Sequence, residues 1–284
     1  MTIELHNFNH TTTAAALWRQ LPGAAQEGLR RLGRELRGIT LDLWGTILDD
    51  HPAPTDTVVF SEQRQQFLLQ ELQRHGIART AEQVRAAYQH AWEYFDSLWY
   101  RQIAFDARDG LTAMLRYLEA ELPPDSRART VEFFENFTTQ PPLLPGVREG
   151  VTRLAQKYPL ALISDTAWTP GRVLRRILAE YDLLRCFKVL IFSGEVGHTK
   201  PHPEMFQRAL AGLGLAPQHC LHVGDLQRTD IAGARALGMH TAWIHRPTYA
   251  GKEQDDQAPD LTISSVAQLA NLLLDQPWEQ QTGG

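Results

Sequence analysis

GITLDLWGTI, residues Gly38–Ile47, is the stretch that decides how the chain is read. Ile39, Leu41 and Leu43 are apolar, Asp42 interrupts them, and Gly45-Thr46 ends the run. A short apolar run closed by turn residues predicts a strand buried in a parallel sheet. Its carboxyl end carries a carboxylate, at the edge where open α/β sheets bind ligands. An aspartate after a strand also serves as a turn former or helix cap. The flanking sequence decides between the two readings.

Downstream, Asp49–Thr57 is rich in Pro and Asp and reads as a linker. From Val58 to Phe137 strand signals vanish and apolar residues recur at helical spacing, as in Phe67, Leu68, Leu72 and Leu111, Met114, Leu115, Leu118. Phe133, Phe134 and Phe137 mark a further helix, so a helical bundle is inserted after the first strand. Its aromatic cluster Trp92, Tyr94, Phe95, Trp99, Tyr100 and Phe105 could line a pocket, although aromatics at this spacing more often fill a core. A second linker spans residues 138–146, around Pro141-Pro142 and Pro145-Gly146.

Beyond it, helices and strands alternate. Leu160–Ser164, Lys188–Phe192, Cys220–Val223, Thr241–Ile244 and Leu261–Ile263 are predicted strands. Val147–Tyr158, Pro203–Leu213, Asp230–Leu237 and Val266–Leu274 are predicted helices, and Thr169-Pro170-Gly171 opens another. This alternation predicts an α/β fold, a doubly wound parallel sheet. Upstream, leucines recur among arginines from Ala14 to Arg37, which predicts one or two amphipathic helices packed on the outside. Arg30, Arg31, Arg34 and Arg37 fit a solvated helix face more simply than a partner surface.

The 284 residues are 43% hydrophobic and 21% charged, which fits a soluble globular enzyme with a sizeable core. The net charge of −5 weighs against a general nucleic-acid binder. Cys186 and Cys220 form no metal spacing and read as small buried hydrophobes in a reducing cytoplasm. MTIELHNFNHTTTAAALW lacks the basic start and apolar core of a signal peptide, and no run is apolar enough to span a membrane. A cytoplasmic protein with a small-molecule substrate, and with neither nucleic acid nor membrane as partner, is expected.

Four strand ends now place polar residues on one edge: Asp42 with Thr46, Ser164 with Thr166, the loop carrying Lys200, and Asp225. The helices that follow add backbone N–H groups suited to an anion. An ordinary aspartate at position 42 would be ionised at neutral pH and need little activation as a nucleophile. A second carboxylate, Asp225, beside it implies Mg²⁺, which prefers oxygen ligands and commonly binds a substrate phosphate. Lys200 would neutralise charge on a transferring group and Ser164 would hydrogen-bond its oxygens. Asp230, five residues after Asp225, could bond Lys200 or hold a metal-bound water. Taken singly, Ser164 and Asp230 are also plausible helix caps and Lys200 a surface residue.

The set as a whole resembles the haloacid dehalogenase superfamily, a group dominated by phosphatases. LDLWGTI, LISDT, GHTKPHPEMF and HVGDLQRTDIAGARALGM are similar to its four motifs, and PDLTISSVAQL to its usual ending. The resemblance covers roughly residues 38–274 and leaves 1–37 unexplained. It implies a Rossmann-like core at residues 38–50 and 143–284 and a helical cap at 51–142, and the leucine pattern makes residues 1–37 an N-terminal helical extension. It also implies Asp42 as nucleophile, with Asp42, the Trp44 carbonyl and Asp225 on Mg²⁺. Thr46, Ser164, Asp165, Thr166 and Lys200 would serve the phosphate, and Asp230 would support them.

One position departs. Phosphatases of this superfamily read Asp-x-Asp-x-Thr, whereas Trp44 replaces the second Asp, and indole has no proton to give near neutral pH. Three readings follow. A Mg²⁺-dependent phosphohydrolase would act on a good leaving group or take a proton from another residue, with His51 and His202 as candidates. A metal-independent 2-haloacid dehalogenase would need no acid, but it would need a cap arginine such as Arg64, Arg85 or Arg101, and Asp225 is phosphatase-like. A non-catalytic interaction protein would more often have lost Asp42 itself.

Overall fold

In the computed structural model, which describes residues 2–5, 13–49, 54–136, 140–246 and 258–275, Gly38–Leu41 forms the central strand β2, buried at all four positions. The other strands are β1 (Ile3–Glu4), β3 (Leu160–Ser164), β4 (Phe187–Phe192), β5 (Cys220–Gly224), β6 (His240–Ile244) and β7 (Leu261–Ile263). They form one sheet in the order β1-β7-β6-β5-β2-β3-β4, parallel throughout. Ile39 of β2 lies opposite Leu160 of β3 on one side and Leu221 of β5 on the other. The chain leaves β2 toward β3 and β4, then returns to β5 across it. The carboxyl end of β2 is therefore the switch point of the sheet.

Helices cover both faces. The main core packs Ile39, Leu41, Leu160 and Leu162 against α7 (Val147–Lys157), α8 (Gly171–Glu180) and α12 (Val266–Leu274). Ala161 and Ile163 point the other way, onto α10 (Pro203–Leu213) and α11 (Ala232–Ala236). This alternation along β3 is the period of two that a strand imposes. The four residues of α9 (Ser193–Val196) follow β4 directly.

Between β2 and β3 stand α3 (Pro54–Arg74), α4 (Ala81–Trp99), α5 (Ala107–Tyr117) and α6 (Pro124–Glu135). Capping boxes at Thr80 with Gln83 and at Asp106 with Asp109 start α4 and α5. These helices share an apolar core of their own, built on residues such as Leu68, Val84, Met114 and Phe134. Trp168, from the loop after β3, inserts into it. The expected doubly wound parallel sheet with an inserted helical unit is thus present.

Four details differ from the sequence expectation. The segment before β2 is not purely helical, because Ile3 and Glu4 pair with Leu261 and Thr262 at the sheet edge. Its helices α1 (Ala14–Gln20) and α2 (Gly23–Glu35) bury Leu17, Trp18, Leu29 and Leu32 in the main core rather than merely lying on it. The helix α3 starts at Pro54, inside the stretch read as a linker, since proline fits a first helical turn. The predicted helix from Asp230 splits into a π-turn, Gln227–Ile231, and the short α11. His51, Phe137 and the polar tail at residues 279–284 lie outside the described residues. Cys186 and Cys220 are free thiols, and no described helix is long and apolar enough to cross a membrane.

Candidate active site

The end of β2 delivers Asp42, held by its N–H to the Val223 carbonyl of β5 and only 5% exposed. Lys200 reaches it from the loop before α10, with Nζ 2.5 Å from Asp42 Oδ1 and 2.6 Å from Asp230 Oδ1. Asp230 is fixed in turn. Its Oδ1 faces His222 Nε2 at 3.2 Å, and its Oδ2 accepts the Leu226 N–H at 3.0 Å. Thr40 and His222, register partners on β2 and β5, close the chain with Oγ1 2.8 Å from Nδ1. Burial holds the His222 pKa below that of ordinary histidine. A neutral ring facing a carboxylate donates from Nε2, which leaves Nδ1 to accept from Thr40.

The charges are interdependent. Burial pushes the Asp42 carboxyl up to about 7, against the pull of Lys200. Burial also works against the Lys200 ammonium, but Asp230, Asp42 and Asp165 outweigh it and hold the pKa above the usual lysine value. Asp230 is likewise buried, yet Lys200 and His222 keep it well below an ordinary carboxylate. The π-turn brings Asp230 back over β5, where Gly224 makes room: a Cβ there would lie 2.2 Å from Asp230 Cγ. π-turns of this kind recur at functional sites.

Asp225 completes the cluster. Oxygens of Asp42, Asp225 and Asp230 lie within 4.8 Å of one another. Three carboxylates against the single Lys200 ammonium leave these four side chains with a formal charge of minus two. A divalent cation with oxygen ligands fits this donor set. Asp42, Asp225 and the Trp44 carbonyl are the groups that would hold it. Trp44 packs partly buried against the main core, and its backbone bridges to Leu48.

A cavity of about 360 Å³ opens above Asp42. Asp42, Trp44, Asp165, Thr166, Lys200, Asp225 and Asp230 line it from below, and Phe60, Arg64, Trp92, Phe95 and Trp99 from the inserted helices. Other expected residues sit differently. Ser164 is fully buried, donates to the Asp165 carbonyl at 3.1 Å, and is not part of the wall. Thr46 is not part of it either, and its buried hydroxyl has no partner among the described residues. Thr166 engages Ser193 through both its N–H, at 2.7 Å, and its hydroxyl, at 3.0 Å. Asp165 accepts the Lys200 N–H at 2.9 Å and the Trp99 indole N–H at 2.9 Å, so it ties the inserted helices to the sheet edge. Burial holds its pKa above the ordinary carboxylate value.

The aromatic cluster divides between the two readings of it. Trp92, Phe95 and Trp99 face the cavity, Phe105 is buried in the helical core, and Tyr94 and Tyr100 are exposed. Among the cap arginines, Arg64 is buried at the cavity and donates to the Phe134 carbonyl at 2.9 Å, while Arg85 and Arg101 are exposed. His202 is not at the cavity: it stacks on His198 with centroids 3.7 Å apart. The sequence alone does not mark His222, Thr40, Trp168 or Arg228 as site residues. Arg228 stacks its guanidinium 3.9 Å from the Trp99 ring centroid and 4.6 Å from that of Tyr100. A histidine inside the apolar strand CLHV was the available signal for the first of these.

A family model of haloacid dehalogenase-like hydrolases matches residues 36–238. Phosphoserine phosphatase of Thermus thermophilus is 31% identical over 151 residues, which are 53% of this chain, and the chain spans 59% of that relative's length. Among solved structures, a HAD phosphatase from Thermococcus onnurineus superposes with a TM-score of 0.56 at 22% identity, covering 84% of this chain and 98% of the other. A 2-haloacid dehalogenase from Pseudomonas syringae gives 0.56 at 22% identity, covering 85% and 99%. At that identity, both likenesses speak for the fold alone.

Proposed function

Because the chain belongs to the haloacid dehalogenase-like hydrolases, we propose that it is a Mg²⁺-dependent phosphohydrolase working through an aspartyl-phosphate on Asp42. The observation that carries this reading is Asp225, buried with a carboxylate oxygen within 4.8 Å of one of Asp42. Two buried carboxylates so close repel unless a cation lies with them. The phosphatase name of a relative such as that of Thermus thermophilus agrees.

In this reading an Asp42 oxygen attacks phosphorus, and the ester oxygen leaves with the bonding electrons. Water then attacks the aspartyl-phosphate, releases inorganic phosphate and restores the carboxylate. Asp42, Asp225 and the Trp44 carbonyl would hold Mg²⁺, whose positive charge would let a carboxylate approach a phosphate dianion. Lys200, already between Asp42 and Asp230, carries part of the charge that builds on the phosphoryl oxygens. Asp230 and His222 keep that ammonium in place. Thr46 does not line the cavity, so its hydroxyl, without a partner among the described residues, joins only if the site rearranges around the phosphoryl group. Ser164 joins only by giving up its bond to the Asp165 carbonyl. The inserted helices, residues 51–142 in our division of the chain, act as a cap that excludes water.

Trp44 and the buried Arg64 favour a second reading, displacement of halide from a 2-haloacid, which needs no general acid. Phosphate release from phosphate esters in Mg²⁺, abolished by EDTA, is the expected result. Chloride release from 2-chloropropionate in EDTA would establish the second reading instead.

A further inference from the structure

The walls of the cavity narrow the substrate class, on the phosphohydrolase reading above. Six aromatic side chains line it: Trp44, Phe60, Trp92, Phe95, Trp99 and Trp168. Four of them form a continuous array, with Trp92 edge-on to Phe95 at 5.2 Å and to Trp168 at 5.9 Å, and Phe95 stacked on Trp99 at 6.1 Å between centroids. Surfaces of this kind bind ring systems by offset and edge-to-face contact. The volume of about 360 Å³ falls in the range of pockets that take ligands well beyond a three-carbon ester. Two wall residues, Trp168 and Thr229, also hold a buried Nε1 and a buried Oγ1 with no hydrogen-bond partner among the described residues. Orphaned polar atoms in a native cavity mark places where a ligand can bond.

The departing oxygen points the same way. Trp44 has no proton to give it. The other ionisable wall residues are committed: Asp49 to Arg246 at 2.9 Å, Arg64 to the Phe134 carbonyl, Asp165 to two N–H donors, Asp230 to Lys200, His222 and the Leu226 N–H, and Asp225, on the reading above, to the cation. Lys200 holds its proton between two carboxylates. An ester oxygen that leaves unprotonated must be a weak base. A phenolic oxygen has a conjugate-acid pKa of about 10, against about 16 for water-like alkoxides.

We propose that the substrate is an aryl phosphate, a phosphate monoester of a phenolic ring that stacks among the cavity tryptophans. The step balances without an acid from the protein. An Asp42 oxygen forms the new bond to phosphorus, the P–O(aryl) bond breaks, and its electron pair leaves on the phenolate, which takes a proton from water. Hydrolysis of the aspartyl-phosphate by a second water then yields inorganic phosphate and a proton to solvent.

The test uses the full chain with Mg²⁺ and has two arms. Binding of benzylphosphonate, a non-hydrolysable analogue of phenyl phosphate, is compared with that of ethylphosphonate by titration calorimetry, and at least tenfold tighter binding of the former is expected. Turnover is measured over substituted phenyl phosphates and over ethyl phosphate. We expect kcat/KM to fall steeply as the leaving-group pKa rises, with ethyl phosphate at least a hundredfold below phenyl phosphate. Trp44→Asp, if folded, should flatten that slope, and the wild-type slope stands as a test without it. Equal affinities for the two phosphonates, or equal kcat/KM for aryl and alkyl esters, overturn this inference alone. Release of no phosphate from any ester overturns the phosphohydrolase reading and this inference with it.

Discussion

Gly45 leaves the space that Asp225 fills: a Cβ at Gly45 would stand 2.0 Å from Asp225 Oδ2, and the residue sits at φ +72°. Gly45→Ala therefore has to push the carboxylate aside and also strain the backbone by about 1–2 kcal/mol. We expect Mg²⁺ or Mn²⁺ affinity, measured by calorimetry on the full chain, to drop at least tenfold. Unchanged affinity would remove Asp225 from the proposed cation site.

Asp42→Asn keeps the shape of the side chain and removes its nucleophilicity. Phosphate release should fall by more than about 10⁴-fold, with the circular dichroism spectrum unchanged. An Asn variant that turns over within tenfold of wild type would sink the nucleophile assignment.

Burial raises the Asp42 pKa from 3.8 to about 7. A carboxyl that ionises later in the folded than in the unfolded protein makes folding less favourable once the unfolded group has ionised. Without divalent cation, stability should decline as pH climbs from about 4 to about 7 and level off above. Mg²⁺ should reverse the loss, and Asp42→Asn should lack it. Thermal melts across this window with EDTA and with Mg²⁺ check the sign, and a rising melting temperature in EDTA would contradict it.

Removing Asp230 strips a fully buried ammonium of one of its two carboxylates. Breaking such a pair costs about 3 kcal/mol, so Asp230→Asn should show this loss in urea unfolding at pH 7. The Asp230 pKa is held below the ordinary carboxylate value. Its contribution is therefore present above about pH 4 and is lost as pH falls through the lower, folded value. The gap between variant and wild type should shrink toward pH 2, and a gap that widens there would be incompatible with the pair.

Trp99→Phe keeps a ring in the cavity wall and deletes the indole N–H that Asp165 accepts. A hydrogen bond to a charged group contributes about 1.5 kcal/mol or more. The bond closes the cap over the site, so KM should rise about tenfold with kcat changed less than threefold. The reverse split would place Trp99 in the chemical step.

Much of this site was legible because it sits at strand ends, where short apolar runs, turn residues and a fixed order of polar residues coincide. Asp42, Lys200, Asp225 and Asp230 were found that way, and they meet in space. What escaped was set by the third dimension. His222 reads as one polar residue in the run CLHV, and only pairing of β5 with β2 brings it against Thr40 and Asp230. Trp92 and Phe105 belong to one aromatic cluster in the sequence, yet Trp92 on α4 faces the cavity while Phe105, in the loop before α5, fills the helical core. Ile3–Glu4 is too short to show any period, and its strand exists only because β7 offers an open edge.

The central position of β2 has a consequence for how the chain is made. Ile39 pairs with Leu160 and Leu221, so both neighbours of the strand that carries Asp42 are translated more than a hundred residues after it. During synthesis, β2 waits with both edges open, and such edges invite aggregation. The helices that follow it share a core drawn almost wholly from their own residues, so they can collapse first beside the waiting strand. The unit that roofs the cavity above Asp42 in the finished protein is thus also the first shelter available to the unfinished sheet.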